Sequence, residues 1–347
     1  MWRLFPFGAI MSRIILFLLP VSLFAQSAFY EEDLQKAKPY REEGYRQLLK
    51  FADSQSLFAS LLQQFKHKIG YPPVGFLDKP TFRCELAGDD HIATYSRCWI
   101  TVAPGLETYG LYLVPKNLKG PAPLVVSLHG GGGFPEMALF KGGTNYHDQI
   151  RGAAAQGYVV WAPQFVMYPF RDRDTATPIP AEVRAELDAR FRNKGTSLMA
   201  VEAMKVIKSL DVLLTRPEVD AKRVAMIGLS YGGFYSLYIA ALDVRIKAIV
   251  ASCSFREAPM VRESIIEGRP LDLTSPQQVA LIAPRALQVQ AGLTDASAPI
   301  DSVRRAIAEA KVYYQRAGKL EMLDYQEFQG GHEWRGDIAW QFLNKYL

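Results

Sequence analysis

The run Gly-Leu-Ser-Tyr-Gly-Gly at residues 228–233 has the G-x-S-x-G pattern of a nucleophile elbow. An apolar, strand-like segment at 224–227 precedes it and a helical segment at 234–241 follows it, which distinguishes an elbow from a chance cluster of small residues. The turn holds the serine in a strained conformation at the positive end of a helix, and flanking glycines are needed because a Cβ would clash there. We therefore predict that Ser230 is a catalytic nucleophile.

A second glycine-rich run follows the apolar segment 124–128 directly: His129 is succeeded by four glycines at 130–133. In hydrolases with a nucleophile elbow, the loop at this place supplies one backbone N–H of the oxyanion hole. We predict Gly131, or a neighbouring glycine, as that donor and the N–H of Tyr231 as the other. A flexible turn or a phosphate-binding loop are the alternatives, but the lysine and Ser/Thr pair of a P-loop does not follow.

The chain has five histidines that are candidates for the general base. His67 and His91 precede the predicted α/β core, and His129 heads the glycine run, where it is suited to ordering the backbone. His147 is a weak competitor in the loop that follows. His332 is the one that follows both the nucleophile and the last predicted strand, which is the chain order expected of the base, so we predict His332 for this role.

The acidic member of the triad should lie between Ser230 and His332 in the chain. Residues 286–292 form a strand-like run, and Asp295 follows at its carboxyl end. We predict that Asp295 orients the histidine and stabilises the imidazolium. Asp301 is the alternative, but it better suits the N-terminus of the helix that begins near residue 302, where a carboxylate complements the helix dipole.

Strand-like and helix-like segments alternate around these residues, which predicts an α/β fold with a mostly parallel, doubly wound sheet. Two strand-like runs between residues 99 and 114, separated by a Pro-Gly turn, predict an antiparallel hairpin at the N-terminal side. We expect a helical N-terminal extension over 28–80 and a catalytic domain over 81–347. Within that domain the polar stretch 165–196 is either a lid insertion or a surface loop.

Charge and cysteine content exclude some functions. The net charge is +5, and no lysine- or arginine-rich run suggests a nucleic-acid partner. The three cysteines lie without histidines at ligand spacing, so we expect no metal site. In an exported protein Cys84 and Cys98 are candidates for a disulfide between neighbouring strands, whereas Cys253 lies in an apolar run and is expected to be a buried free thiol.

Together these features resemble secreted α/β-hydrolases, in particular the dienelactone hydrolases and the acetyl-xylan esterases. The resemblance covers roughly residues 95–347 and also rests on Ile-Ala-Pro-Arg at 282–285 and Gly-Gly-His-Glu-Trp at 330–334. It implies the α/β-hydrolase fold and ester hydrolysis without a cofactor. Two departures stand out: dienelactone hydrolases proper use a cysteine nucleophile where Ser230 stands, and many acetyl-xylan esterases lack the polyglycine loop.

The predicted function is that of a serine carboxylesterase that forms an acyl-enzyme on short-acyl, acetyl-type esters of a carbohydrate or a small-molecule alcohol. Trp334 and Tyr168 are the predicted substrate-binding residues, because aromatic rings stack on sugar faces. Core or lid packing is the alternative role for both rings. Two other functions stay open. One is a serine peptidase of the prolyl-oligopeptidase type, although the roughly 90 residues after the signal peptide cannot supply its propeller. The other is a non-catalytic binding protein.

The N-terminus has the pattern of a secretory signal peptide over residues 1–27. Arg13 precedes an apolar run at 14–24, and small residues follow at 25, 27 and 28. The run is short for a membrane span, which needs about 20 apolar residues, so we expect no stable membrane insertion after processing. An uncleaved anchor is the alternative. The mature chain is therefore expected to be secreted or periplasmic.

We predict that the signal peptide is cleaved between about residue 25 and residue 28, because the small residues that follow the apolar run are those a signal peptidase recognises. Intact-mass spectrometry of the exported protein measures this directly. A mature chain that retains the run 14–24 would mean that the segment is an anchor.

Overall fold

The structure is a computed structural model that describes residues 36, 38–39, 42–47, 57–131, 133–139, 144–164, 181–257 and 274–347. The predicted signal peptide 1–27, Tyr168 and the first half of the stretch 165–196 lie outside the described residues. The chain divides into two units at residue 57. The described residues of the first unit are helical. The second unit, Phe58–Leu347, contains the predicted catalytic residues.

Strands and helices alternate along the described part of the second unit. Its strands are β1 (Thr81–Asp89), β2 (Ala93–Ala103), β3 (Leu106–Pro115), β4 (Ala122–Leu128), β5 (Val159–Pro163), β6 (Val219–Leu229), β7 (Ala248–Ser252), β8 (Ala286–Gly292) and β9 (Leu323–Phe328). The α-helices are α1 (Leu57–Ile69), α2 (Gln149–Ala155), α3 (Ala181–Arg192), α4 (Leu198–Leu213), α5 (Tyr231–Leu242), α6 (Ser275–Ile282), α7 (Ile300–Arg316) and α8 (Gly336–Tyr346).

The nine strands form one sheet in the order β1-β2-β3-β5-β4-β6-β7-β8-β9. Strands β1 to β3 pair antiparallel, and β3 also pairs antiparallel with β5, whereas every pairing from β5 to β9 is parallel. The mostly parallel α/β sheet and its antiparallel N-terminal hairpin are thereby confirmed. The hairpin is β2 and β3, and β1 extends it by a further strand.

The strand order of the sheet reverses at β4. From β4 the chain crosses to β5 on one side, and β6 then joins β4 on the other side. Ligands bind in open α/β sheets at such a reversal, beyond the carboxyl ends of the strands. Leu128 at the end of β4 is paired with Gly228 near the end of β6, so the glycine run and the elbow leave the sheet side by side.

Apolar side chains fill both faces of the sheet. The central strands β4, β5, β7 and β8 are buried along their whole length, as expected of strands covered by helices on both sides. Phe65 of α1 is fully buried and packs against Tyr238 of α5, with the ring centroids 5.0 Å apart. In the described part of the chain, none of the helices combines the length and the hydropathy that a membrane span requires.

The cysteines have the predicted states. Cys84 and Cys98 face each other across β1 and β2 and form a disulfide. Cys253, directly after β7, is a buried free thiol. The disulfide therefore joins two strands that are already neighbours at the edge of the sheet.

Candidate active site

Ser230 lies in the sharp turn between β6 and α5. Its backbone has φ +58° and ψ −121°, a region that costs a non-glycine residue of order 1–3 kcal/mol. The Ser230 N–H donates to the carbonyl of Ser252 on the neighbouring strand at 2.8 Å, which fixes the turn on the sheet. At Gly232 any Cβ would overlap the carbonyl oxygens of Leu128 and His129. The glycine is required because the elbow is pressed against the end of β4.

The glycine run after β4 lies beside this turn. A methyl group at Gly130 would be only 3.2 Å from the Cβ of Ser230 and 3.0 Å from the hydroxyl of Tyr146. That buried hydroxyl accepts the Gly130 N–H at 2.8 Å, and the Gly133 N–H donates to the Gly130 carbonyl at 3.2 Å. The N–H of Gly130 is thus committed to Tyr146. The next residue, Gly131, is exposed at the turn.

His129 is buried at the base of this loop, with Nδ1 2.9 Å from the carbonyl oxygen of Gly130. Burial lowers its pKa to about 4, so the ring is neutral at pH 7. The Nδ1 of His129 thus contacts the backbone of the glycine loop, as the sequence suggested.

Asp295 and His332 are brought together at the ends of β8 and β9. The imidazole Nδ1 of His332 lies 2.8 Å from the Oδ2 of Asp295, whose side chain is almost fully buried while that of His332 is 28% exposed. The other carboxylate oxygen, Oδ1, accepts the N–H of Ser297 at 2.8 Å. Both loops are also joined by backbone hydrogen bonds from Leu293 to Phe328 and from Thr294 to Gly330.

The carboxylate of Asp295 is held in its ionised form. Burial alone raises its pKa, but the hydrogen bond from His332, the charge interaction with that ring and the N–H of Ser297 outweigh burial, so the net pKa lies below the ordinary value. An ionised carboxylate at this distance holds the proton of the neutral imidazole on Nδ1, and that leaves Nε2 as the atom that can accept a proton.

The two alternatives to these residues lie elsewhere. Asp301 is in the first turn of α7, where its side chain is 77% exposed and pairs with Arg304 at 3.4 Å. His147 has its Nε2 3.1 Å from the Oε2 of Glu333. Asp301 and His147 thus have ion-pair partners outside the Asp295–His332 pair.

The loop that fixes the histidine carries no sequence motif. The side-chain N–H of Asn145 donates to the carbonyl of His332 at 2.8 Å, and the carbonyl of Asn145 accepts the N–H of Trp334 at 2.9 Å. Asn145 therefore holds the histidine loop at residues 332 and 334. The next residue, Tyr146, holds Gly130, so adjacent residues fix the histidine loop and the glycine loop. No motif marks this run, because its importance comes from contacts across 187 residues of chain.

The predicted substrate-binding role of Trp334 requires correction. Its ring is 1% exposed and packs against Trp340 of α8 at 5.6 Å between centroids. A buried indole presents no face to a sugar, so Trp334 anchors the histidine loop in the core instead. Tyr168, the other predicted substrate-binding residue, lies outside the described residues.

In the described part of the chain, one group of side chains has metal-ligand character. It consists of Cys253, Asp295 and His332, whose donor atoms lie within 4.8 Å of one another. The group is absent from the sequence as a spacing motif, because its members come from the ends of three different strands.

Comparison with known proteins is consistent with this geometry. Residues 110–317 match the model of the dienelactone hydrolase family. YtaP of Bacillus subtilis (strain 168), provisionally named a hydrolase, is 25% identical over 269 residues, which cover 70% of this chain and 85% of that protein.

Solved structures with the same fold include a glucuronoyl esterase from Solibacter usitatus, with a TM-score of 0.62 and 16% identity over 84% of this chain and 92% of that one. Acetyl xylan esterase 1 from Thermoanaerobacterium sp. JW/SL YS485 has a TM-score of 0.55 and 18% identity over 83% of this chain and 93% of that one. These likenesses establish the α/β-hydrolase fold. Since the family model spans more than half of the sequence, the chain belongs to the dienelactone hydrolase family of ester-bond hydrolases.

Proposed function

We propose that this protein is a serine carboxylesterase whose catalytic triad is Ser230, His332 and Asp295. The observation that carries the proposal is the 2.8 Å contact between His332 Nδ1 and an ionised, buried Asp295. A hydrogen-bonded carboxylate and imidazole at the carboxyl edge of the sheet that presents a strained serine is the arrangement that acyl transfer requires.

The proposed reaction is two-step acyl transfer to water. The hydroxyl of Ser230 attacks the ester carbonyl and gives its proton to Nε2 of His332, and the alcohol leaves with that proton. Water then attacks the acyl-enzyme with His332 again as the base. Asp295 stabilises the imidazolium that forms in each half-reaction.

Two backbone N–H groups are proposed to bind the oxyanion. The Tyr231 N–H is in the first turn of α5, where the helix dipole favours negative charge. The second donor is Gly131. The Gly130 N–H is committed to Tyr146, which supports the next glycine as the donor. Each such donor is typically worth about 10²–10³ in rate.

For the substrate we propose short-acyl esters of carbohydrates. An exported chain meets polymeric carbohydrate, and two proteins of the same fold are by name an acetyl xylan esterase and a glucuronoyl esterase. Helix α3 lies in the described part of the stretch 165–196. Its residues are polar on average, whereas a lid that docks on lipid has an apolar face.

Replacing the nucleophile tests the triad. Ser230→Ala should abolish turnover of an activated p-nitrophenyl ester, because no other serine is held in the elbow. A fluorophosphonate probe should label Ser230 in the wild type, as measured by mass spectrometry of the digested protein. Circular dichroism checks that the variant is folded, and wild-type turnover by a folded Ser230→Ala protein would disprove the assignment.

Two matched aspartate variants test the acid. Asp295→Asn should lower kcat by several orders of magnitude, about 10⁴ by analogy with a triad enzyme, because the amide no longer fixes the tautomer or stabilises the imidazolium. Asp301→Asn should change kcat little, since an exposed carboxylate at a helix N-terminus contributes about 0.3–1 kcal/mol to stability. Steady-state kinetics on both variants decides; the reverse ranking would assign the acid to Asp301.

Asn145→Ala should lower kcat by about 10²-fold with little change in KM, because loosening the histidine loop displaces Nε2 without removing a substrate contact. Asn193→Ala, at an exposed asparagine after α3, is the control and should behave as wild type. An Asn145→Ala protein with unchanged kcat would show that the backbone contacts of the loop are sufficient.

A substrate panel separates the proposed specificity from its alternatives. Values of kcat/KM should be highest for acetyl to butyryl p-nitrophenyl esters and should fall for longer chains. Acetylated xylan, a methyl ester of a uronic acid and a peptide substrate complete the panel. Preference for octanoyl esters, or peptide cleavage at comparable efficiency, would contradict a short-acyl carbohydrate esterase while leaving the triad in place.

A further inference from the structure

Cys253 is a buried thiol that the proposed reaction does not use. It directly follows β7 and is 2% exposed. Its backbone has φ +51°, a conformation that is rare for a non-glycine residue, and its N–H donates to the carbonyl of Gln290 on β8 at 2.9 Å. The sheet therefore fixes the position of this thiol.

The thiol lies directly beneath the histidine loop. Its Sγ is 3.6 Å from the carbonyl oxygen of Gly331 and 3.5 Å from that of Glu333, the two residues that flank His332. The Sγ atom, a carboxylate oxygen of Asp295 and a ring nitrogen of His332 all lie within 4.8 Å of one another. A thiol, an imidazole and a carboxylate form the ligand set that zinc uses in proteins.

We propose that Cys253, Asp295 and His332 bind a soft divalent cation of the Zn²⁺ or Cd²⁺ type, and that the bound cation inhibits the enzyme. Ligand atoms around a tetrahedral zinc ion are about 3.5 Å apart, given bonds of roughly 2.0–2.3 Å. The Nδ1 of His332 and the Oδ2 of Asp295, which are 2.8 Å apart, need to separate by about 0.7 Å, and Sγ of Cys253 needs to approach them by about 1.3 Å at most. Because hydrogen bonds hold the backbone of the histidine loop, rotation of the His332 and Cys253 side chains makes that adjustment.

Binding of the cation displaces one proton, and the charges of the resulting group cancel. The metal-free group has one net negative charge, on Asp295, because the thiol is protonated: burial and the nearby carboxylate raise the Cys253 pKa to about 12. A coordinated thiol is deprotonated. Binding therefore releases the thiol proton to solvent, and a divalent cation with thiolate, carboxylate and neutral imidazole is neutral overall.

Inhibition follows from the tautomer of His332. The cation occupies the lone pair on Nδ1, so the single proton of the neutral ring moves to Nε2. In that form Nε2 cannot accept the proton of Ser230. This consequence rests on the proposed function, whereas binding of the cation does not, and the two are separable by experiment.

The test uses the full-length protein freed of metal with a chelator and titrated with Cd²⁺. The expected result is one thiolate-to-metal charge-transfer band in the ultraviolet per chain, with loss of ester turnover over the same concentration range. Chelator should reverse both. Since Cys84 and Cys98 form the disulfide, Cys253 is the one thiol that can give this band.

Cys253→Ser is the decisive variant. Serine keeps a small donor beside Asp295, so turnover should match the wild type, while the band disappears and inhibition by Zn²⁺ or Cd²⁺ requires at least about tenfold more metal. His147→Gln is the matched control for the half-exposed His147–Glu333 pair and should leave the metal sensitivity unchanged.

Other outcomes overturn the proposal. They are the absence of a thiolate band at saturating Cd²⁺, equal inhibition of wild type and Cys253→Ser, or loss of sensitivity in His147→Gln. If Cys253→Ser does not fold, Co²⁺ spectra of the wild type report thiolate coordination without a variant. A thiolate band in a folded Ser230→Ala protein supports the cation site independently of catalysis. If the wild type gives the band but has no esterase activity, the proposed function is wrong while the cation site stands.

Discussion

The close approach of β4 and β6 at their carboxyl ends is the constraint on which the site depends. Ser230 adopts its left-handed backbone because the chain must reverse there into α5, and Gly232 allows that reversal to rest against the carbonyls that end β4. The same proximity brings Gly130 to the side of the serine. A side chain at either glycine would push Ser230 and the glycine loop apart.

The next three strands extend this principle along the same edge. Cys253, Asp295 and His332 each follow a strand, and parallel pairing of β7, β8 and β9 places all three strand ends side by side. Hydrogen bonds between the two outer loops then set the distance between carboxylate and imidazole. Sheet order determines which residues meet, and loop contacts determine how closely they do so.

Burial has two effects in this region. It isolates Asp295, so that each hydrogen bond to its carboxylate has a large influence on its pKa and on the orientation of His332. It also keeps the Cys253 thiol protonated and adjacent to the same carboxylate. A group arranged to hold one imidazole proton thereby acquires the donor atoms of a cation site, which links the two proposals physically.

The sequence by itself determined the main elements and predicted which residues are reactive. Alternating apolar segments predicted the sheet, and the glycine pattern around Ser230 predicted the elbow, because both depend on local backbone geometry. Only the tertiary structure decided that Asp295 and not Asp301 lies against His332, that Trp334 is buried, and that Asn145 and Tyr146 hold the two loops. Those outcomes depend on contacts between residues far apart in the chain, which local patterns do not encode.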